Sequence, residues 1–130
     1  MTNSRQKGAA FEREIANKIY DATGIEVKRD LEQYRASDHG DIIGLPGWTI
    51  ECKRYNSHGS IYYKREWWEQ VVTASLRDGT QPVLIYKYDR QPICCVVFLS
   101  SINPDYAGKQ DTVIIPFSTW AMLASESLCD

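Results

Sequence analysis

Three residues in one short stretch have the types and the spacing to handle a phosphate ester. In DHGDIIGLPGWTIECKRY, Asp41 opens one predicted strand, and Glu51 and Lys53 lie on the next, across the turn Leu45-Pro46-Gly47. Side chains alternate along a strand, so Glu51 and Lys53 share a face while Cys52 points the other way. If the two strands form a hairpin, Asp41 comes beside Glu51, and two carboxylates and an ammonium share one patch. Hard oxygen donors of this kind suit Mg2+ or Mn2+, which keep several waters and share their coordination with substrate phosphates. Such an ion lowers the pKa of a water and neutralises charge building on a phosphate. A lysine beside two carboxylates keeps its proton, so Lys53 fits orienting the attacking water or stabilising pentavalent phosphorus better than acting as a free base. The chemistry that fits is hydrolysis of a phosphodiester. Taken alone, the same triplet also describes a solvated sheet face.

Two helices must flank that hairpin. Phe11, Ile15 and Ile19 recur every four residues, with Ala16 and Tyr20 beside them, and predict an amphipathic helix from roughly Arg5 to Ala22. Ser4 or Asn3 is its expected N-cap and Gly24 its stop. In KGAAFERE, Glu12 falls at the edge of the apolar stripe, within reach of the sheet, whereas Glu14 is further round and solvated. A second helix is predicted from about Lys64 to Asp78, ended by Gly79. It carries Gln70 in line with Trp67 and Ala74, where a core-facing amide would need a polar partner. An ordinary helix-face polar residue accounts equally well for Glu12 or Gln70 alone.

The remaining elements follow from period two and turn residues. Ile25 to Arg29 and Asp41 to Leu45 are predicted short strands, separated by a polar loop from Leu31 to Gly40. Trp48 to Tyr55 alternates as a third strand. Pro82 to Tyr88 and Ile93 to Leu99 are strongly apolar strands joined by Asp89-Arg90-Gln91-Pro92. Thr112 to Pro116 is a final strand, with Ser118 capping a last short helix. The order α-β-β-β-α-β-β-β-α implies an α/β fold with a mixed central sheet flanked by helices, in one domain spanning residues 1–130.

KGAAFERE, GDI, IECK and a following helix with Gln70 together resemble the PD-(D/E)XK nuclease superfamily, most closely the archaeal-type Holliday junction resolvases. The likeness in element order runs from Lys7 to about Phe98. It implies a restriction-endonuclease-like core and a magnesium-dependent endonuclease that cuts DNA, leaving a 5′-phosphate. It implies Glu12, Asp41 and Glu51 as metal ligands with the Cys52 carbonyl as a further one, Lys53 as the motif lysine, and Gln70 as a contributor. Ser37, in a loop before the aspartate, would assist. Lys7, Arg29, Arg35 and Arg54 would contact DNA. The residue before the aspartate is Gly40 rather than proline, which leaves the metal site intact. Asp38 lies three residues upstream, but GDI enters a strand and DHG does not. The expected substrate is a four-way junction, and a two-fold homodimer would supply the two sites needed to cut it symmetrically. Another nicking or restriction-like nuclease, or a non-catalytic DNA-binding module, would use the same scaffold.

Other signals are weaker. Tyr62, Tyr63, Trp67 and Trp68 could stack on unpaired bases, but a Trp pair at helical spacing more often packs on a sheet or at a dimer seam. Cys52, Cys94, Cys95 and Cys129 form no C-x-x-C pair, and His39 and His58 lie far from them, so buried thiols in a reducing cytoplasm are expected rather than zinc or disulfides. The 130 residues hold no apolar run of membrane-spanning length, and MTNSRQKGAA has no hydrophobic signal segment.

Charge alone argues mildly against nucleic acid, since 15 Lys and Arg face 17 Asp and Glu. The balance is uneven along the chain, however. Residues 1–65 hold eleven basic residues against nine acids, and residues 66–130 hold four against eight. Three of those nine acids are the candidate ligands. A basic face is therefore expected around Asp41 and Glu51, and an acidic one elsewhere.

Overall fold

The computed structural model describes residues 4–31, 41–56 and 60–129. Its frame is a sheet that, among the described residues, has six strands in the order β1 to β6: Lys28–Arg29, Ile42–Ile43, Trp48–Tyr55, Gln81–Tyr88, Cys94–Phe98 and Thr112–Pro116. Every neighbouring pair is antiparallel except β3 and β4, which run parallel. A parallel pair needs a crossover. Helix α2, Arg65–Asp78, provides it, while α1 (Ser4–Thr23) and α3 (Phe117–Ser127) lie elsewhere in the chain order.

Alternation along the central strands makes two cores. Ile50 and Cys52 of β3, Val83 and Ile85 of β4, and Cys95 and Val97 of β5 face Phe11, Ile15 and Ile19 of α1 and Trp120 and Ala124 of α3. Leu84, Tyr86, Tyr88 and Val96 face the other way, onto Trp67 and Val71 of α2. The result is a sheet between two helical layers. Glu51 and Lys53 alternate with Ile50 and Cys52, so they belong to the α2 side of β3, whereas α1 carries Glu12 on the other side.

The element order and the limits of β3 and β6 agree with the sequence reading, and two short 3-10 turns, Leu99–Ser101 and Pro104–Tyr106, are added. Four details differ. The expected strand over residues 25–29 shrinks to Lys28–Arg29, because its partner β2 is only two residues long. Strand β2 is short because Gly44 adopts φ 110°, which turns the chain out of extended geometry. Ser118 is not the cap of α3: β6 runs straight into the helix, Pro116 takes the cap position, and Ser118 falls in the first turn. Ser4 likewise stands inside α1 as its first residue, and Asn3 lies outside the described residues.

Gly79 closes α2 as expected, at φ 68° with its N–H donating to the Ser75 carbonyl. Open space surrounds the position of an added Cβ there. Gly79→Ala should therefore cost only the left-handed backbone strain, about 1 kcal/mol. Urea unfolding would read this as a lower midpoint at constant slope. An unchanged midpoint would contradict the backbone argument.

Candidate active site

The site forms where β2 and β3 part. Ile42 stands opposite Ile50 in register, yet the Asp41 N–H donates to the Ile50 carbonyl at 2.8 Å, an offset of one residue. Offsets of this kind are bulge geometry, and bulges re-aim side chains. The Asp41 carboxylate turns toward β3, where its Oδ2 accepts the Cys52 N–H at 2.7 Å. Asp41 and Glu51 then lie close enough to share a hydrogen bond. Lys53 Nζ is 3.4 Å from Glu51 Oε1.

This pair is buried, with Asp41 7% and Glu51 3% exposed. Burial is the main force raising both carboxyls, Asp41 to about 6 and Glu51 to about 8. The charge of Asp41 raises Glu51 further and that of Glu12 raises Asp41, while Lys53 pulls both down and the Cys52 N–H lowers Asp41. The shared hydrogen bond lowers Asp41 and raises Glu51, so Glu51 is the natural holder of a single shared proton. Two buried carboxylates that cannot both ionise freely are a strong sink for a proton or a cation.

Glu12, 8% exposed, approaches from α1 and contributes repulsion to Asp41. Its Oε2 accepts from Arg29 Nε of β1 at 2.9 Å, so Arg29 serves Glu12 rather than standing free. Among the described residues no three His, Cys, Asp or Glu side chains form a closed metal cage. The arrangement is a carboxylate pair with a third carboxylate beside it, engaged by a guanidinium. Burial pushes the Cys52 thiol well above its ordinary range, and the residue belongs to the α1-side core, so its sulfur stays protonated. Its N–H faces Asp41, and the N–H and C=O of one strand residue point to the same edge, so its carbonyl faces this site as well.

The other expected site residues divide. Lys7 and Arg54 lie together, each paired with Asp89 at 2.8 Å. Gln70 is exposed, not core-facing. The buried stripe of α2 is Trp67, Val71, Ala74 and Ser75, and Gln70 sits about a quarter-turn round the helix from its centre. Ser37, Arg35, Asp38, His39 and His58 lie outside the described residues. Of the basic residues in the first half of the chain, Lys7, Arg29, Lys53 and Arg54 are each bridged to an acid. Asp89 is the functional candidate that sequence reasoning missed; on a turn among polar residues it carries no local signal. The aromatics mostly pack: Trp67 is buried and stacks on Tyr55 at 4.9 Å, Trp68 meets Phe98 edge-on, and Tyr62 alone of the four is exposed. Of the cysteines, Cys52 and Cys95 are buried as expected, Cys94 is partly so, and Cys129 is exposed.

The profile of the family described as "Phage putative PDDEXK endonuclease" matches residues 3–124. The chain belongs to this family. The matched span includes Asp41, Glu51, Cys52 and Lys53, which the geometry above brings together across two strands. Among solved structures, the PDDEXK chain is similar in fold to Hjc of Archaeoglobus fulgidus, described as a Holliday junction resolvase from an archaeal hyperthermophile. That likeness has a TM-score of 0.55 at 19% identity and covers 90% of this chain and 98% of the other. No curated protein matches. Among the described residues, no helix is long and apolar enough to cross a membrane.

Proposed function

We propose that this chain is a divalent-metal-dependent DNA endonuclease, Mg2+ or Mn2+ being the cofactor, and that its substrate is a branched DNA, the four-way junction first. The observation that carries the reading is the buried Asp41–Glu51 pair with Lys53 against it, in a chain of the PDDEXK endonuclease family. The donor set suits a hard cation: two adjacent carboxylates whose mutual repulsion a cation would relieve, Glu12 beside them, and the Cys52 carbonyl on the same edge. A cation there would supply Lewis acidity to the scissile phosphate and acidify the attacking water.

The chain's own residues do the rest. The Cys52 N–H fixes the Asp41 carboxylate, and Arg29 fixes Glu12, so neither must reorganise when substrate arrives. Lys53 stands at the rim of the buried pair, 21% exposed. From there its ammonium can orient a water or offset charge on the phosphorane, and Glu51 is positioned to hold or release a proton beside it. Gln70, exposed on the same side of the sheet as α2, and Ser37 complete the proposed set.

The junction preference is supported by the fold likeness to a resolvase, and symmetric cutting calls for a homodimer. We take residues 1–130 as one domain, a reading supported by the family match across 3–124 and by the one sheet among the described residues. Four free cysteines agree with a reducing, cytoplasmic setting. Cleavage of labelled four-way junction, flap and linear duplex, compared side by side in Mg2+, tests the substrate. The junction should be cut at least about tenfold faster than duplex, a difference of roughly 1.4 kcal/mol in barrier. Equal cutting of duplex would remove the resolvase reading and leave a general nuclease.

A further inference from the structure

Beyond the carboxylate pair, at the C-terminal ends of the parallel strands β3 and β4, lies a second cluster of charges. Asp89 follows the last residue of β4. Its Oδ1 receives Lys7 Nζ of α1 at 2.8 Å and Arg54 Nη2 of β3 at 2.8 Å. Lys7 also donates to Asn56 Oδ1 at 2.6 Å, and Arg54 Nη1 donates to the Tyr55 carbonyl at 2.7 Å. Three segments distant in sequence thus meet on one carboxylate oxygen. The two cations outnumber the one anion. The side chain of Asp89 is the most exposed of the three, at 34% against 23% for Lys7 and 16% for Arg54, so the carboxylate reaches solvent while it holds both cations. Hydrogen bonds from Lys7 and then Arg54 hold its carboxyl down at about 2, so it is always an anion at working pH.

The placement matters for a strand of DNA. Arg54 lies three residues beyond Glu51, about 10 Å along β3. By the alternation of β3 its side chain lies on the α1 face with Lys7, which stands five residues before Glu12 on α1, so a DNA strand held over the Glu12–Asp41 edge of the site would carry a flanking phosphate toward Lys7 and Arg54. A carboxylate oxygen held by a lysine and an arginine has the charge and acceptor geometry of a phosphate oxygen. We propose that Lys7 and Arg54 form a subsite for a flanking DNA phosphate, and that Asp89 occupies it in the free protein as a built-in competitor, displaced when the strand binds. This rests on the nuclease reading above. The device makes every binding event give up two ion pairs, which disfavours loosely docked DNA more than DNA that seats a phosphate correctly.

Fluorescence anisotropy of labelled four-way junction and duplex, in EDTA across a salt series, tests it. Asp89→Asn, and equally Asp89→Ser, should bind about three- to tenfold more tightly than wild type, since a competitor is lost. Arg54→Ala should bind more weakly on every sequence, with a salt slope reduced by about 1. In Asp89→Asn combined with Arg54→Ala, the gain should shrink. If both Asp89 variants bind as wild type does, or more weakly, Asp89 is a mere spectator or a buttress, and the competitor is overturned. A wild type that cuts DNA while the Asp89 variants bind unchanged loses only this proposal. A wild type that neither binds nor cuts any DNA takes the nuclease reading down with it.

Discussion

Glu51→Gln should leave less than about a thousandth of the wild-type cleavage rate, a barrier increase of roughly 4 kcal/mol, and yet make the metal-free protein more resistant to heat. Both effects have one cause. Glu51 is 3% exposed, hydrogen-bonded to Asp41 and raised to about 8 by burial and by that neighbour's charge. A group this strained as an anion is held for what it binds, not for stability. Glutamine keeps the shape and the hydrogen bonding while removing the charge that burial penalises. Its loss forfeits the Lys53 contact at 3.4 Å, which is partly exposed and therefore of small value. At pH 8 in EDTA the variant should melt about 5 °C or more above wild type. Differential scanning fluorimetry and a cleavage assay on the same preparation check both halves. A variant that is less stable than wild type in EDTA at pH 8 would show that the pair is not a repulsive one.

The metal-free wild type should lose stability as pH rises from about 5 to 8, and Mg2+ or Mn2+ should restore it. The sign follows from the direction of the shifts. Both carboxyls titrate higher in the folded chain than in the unfolded one, Asp41 at about 6 against 3.8 and Glu51 at about 8 against 4.5. Such groups favour the folded state fully below their unfolded values, and that contribution is lost as pH climbs through 6 and then 8. The melting temperature in EDTA should therefore fall by several degrees across this window, on the order of 5 °C or more. Protons compete with a cation for the same oxygens, so the increase on adding Mg2+ should be larger at pH 8 than at pH 5. Melting curves at three pH values, with and without the ion, are sufficient. A melting temperature that stays level or rises in EDTA, or a Mg2+ response independent of pH, would contradict the account.

Much of this site was readable in the chain because its parts obey local rules. Strand β3 alternates from Trp48 to Lys53, which sets Glu51 and Lys53 on one face and Cys52 on the other. The four-residue recurrence of Phe11, Ile15 and Ile19 located α1 and put Glu12 at its buried edge. What escaped was set by partners elsewhere in the chain. The brevity of β1 depends on β2, and that of β2 on a left-handed Gly44. Gln70 looked core-facing by its spacing from Trp67 and Ala74, but the sheet takes the stripe centred nearer Val71. Lys7 and Arg54 read as cations available to DNA. Nothing local announces that Asp89, 82 residues after Lys7, holds both.

Cleavage of an end-labelled four-way junction in Mg2+ or Mn2+, wild type against Asp41→Ala, asks whether Asp41 and Glu51 act as one cation-holding unit for cutting DNA. Wild type should give product with the ion and none in EDTA, and the variant at least about a thousandfold less, since the loss removes roughly 4 kcal/mol of transition-state stabilisation. Equal cleavage by the two proteins would contradict that joint role.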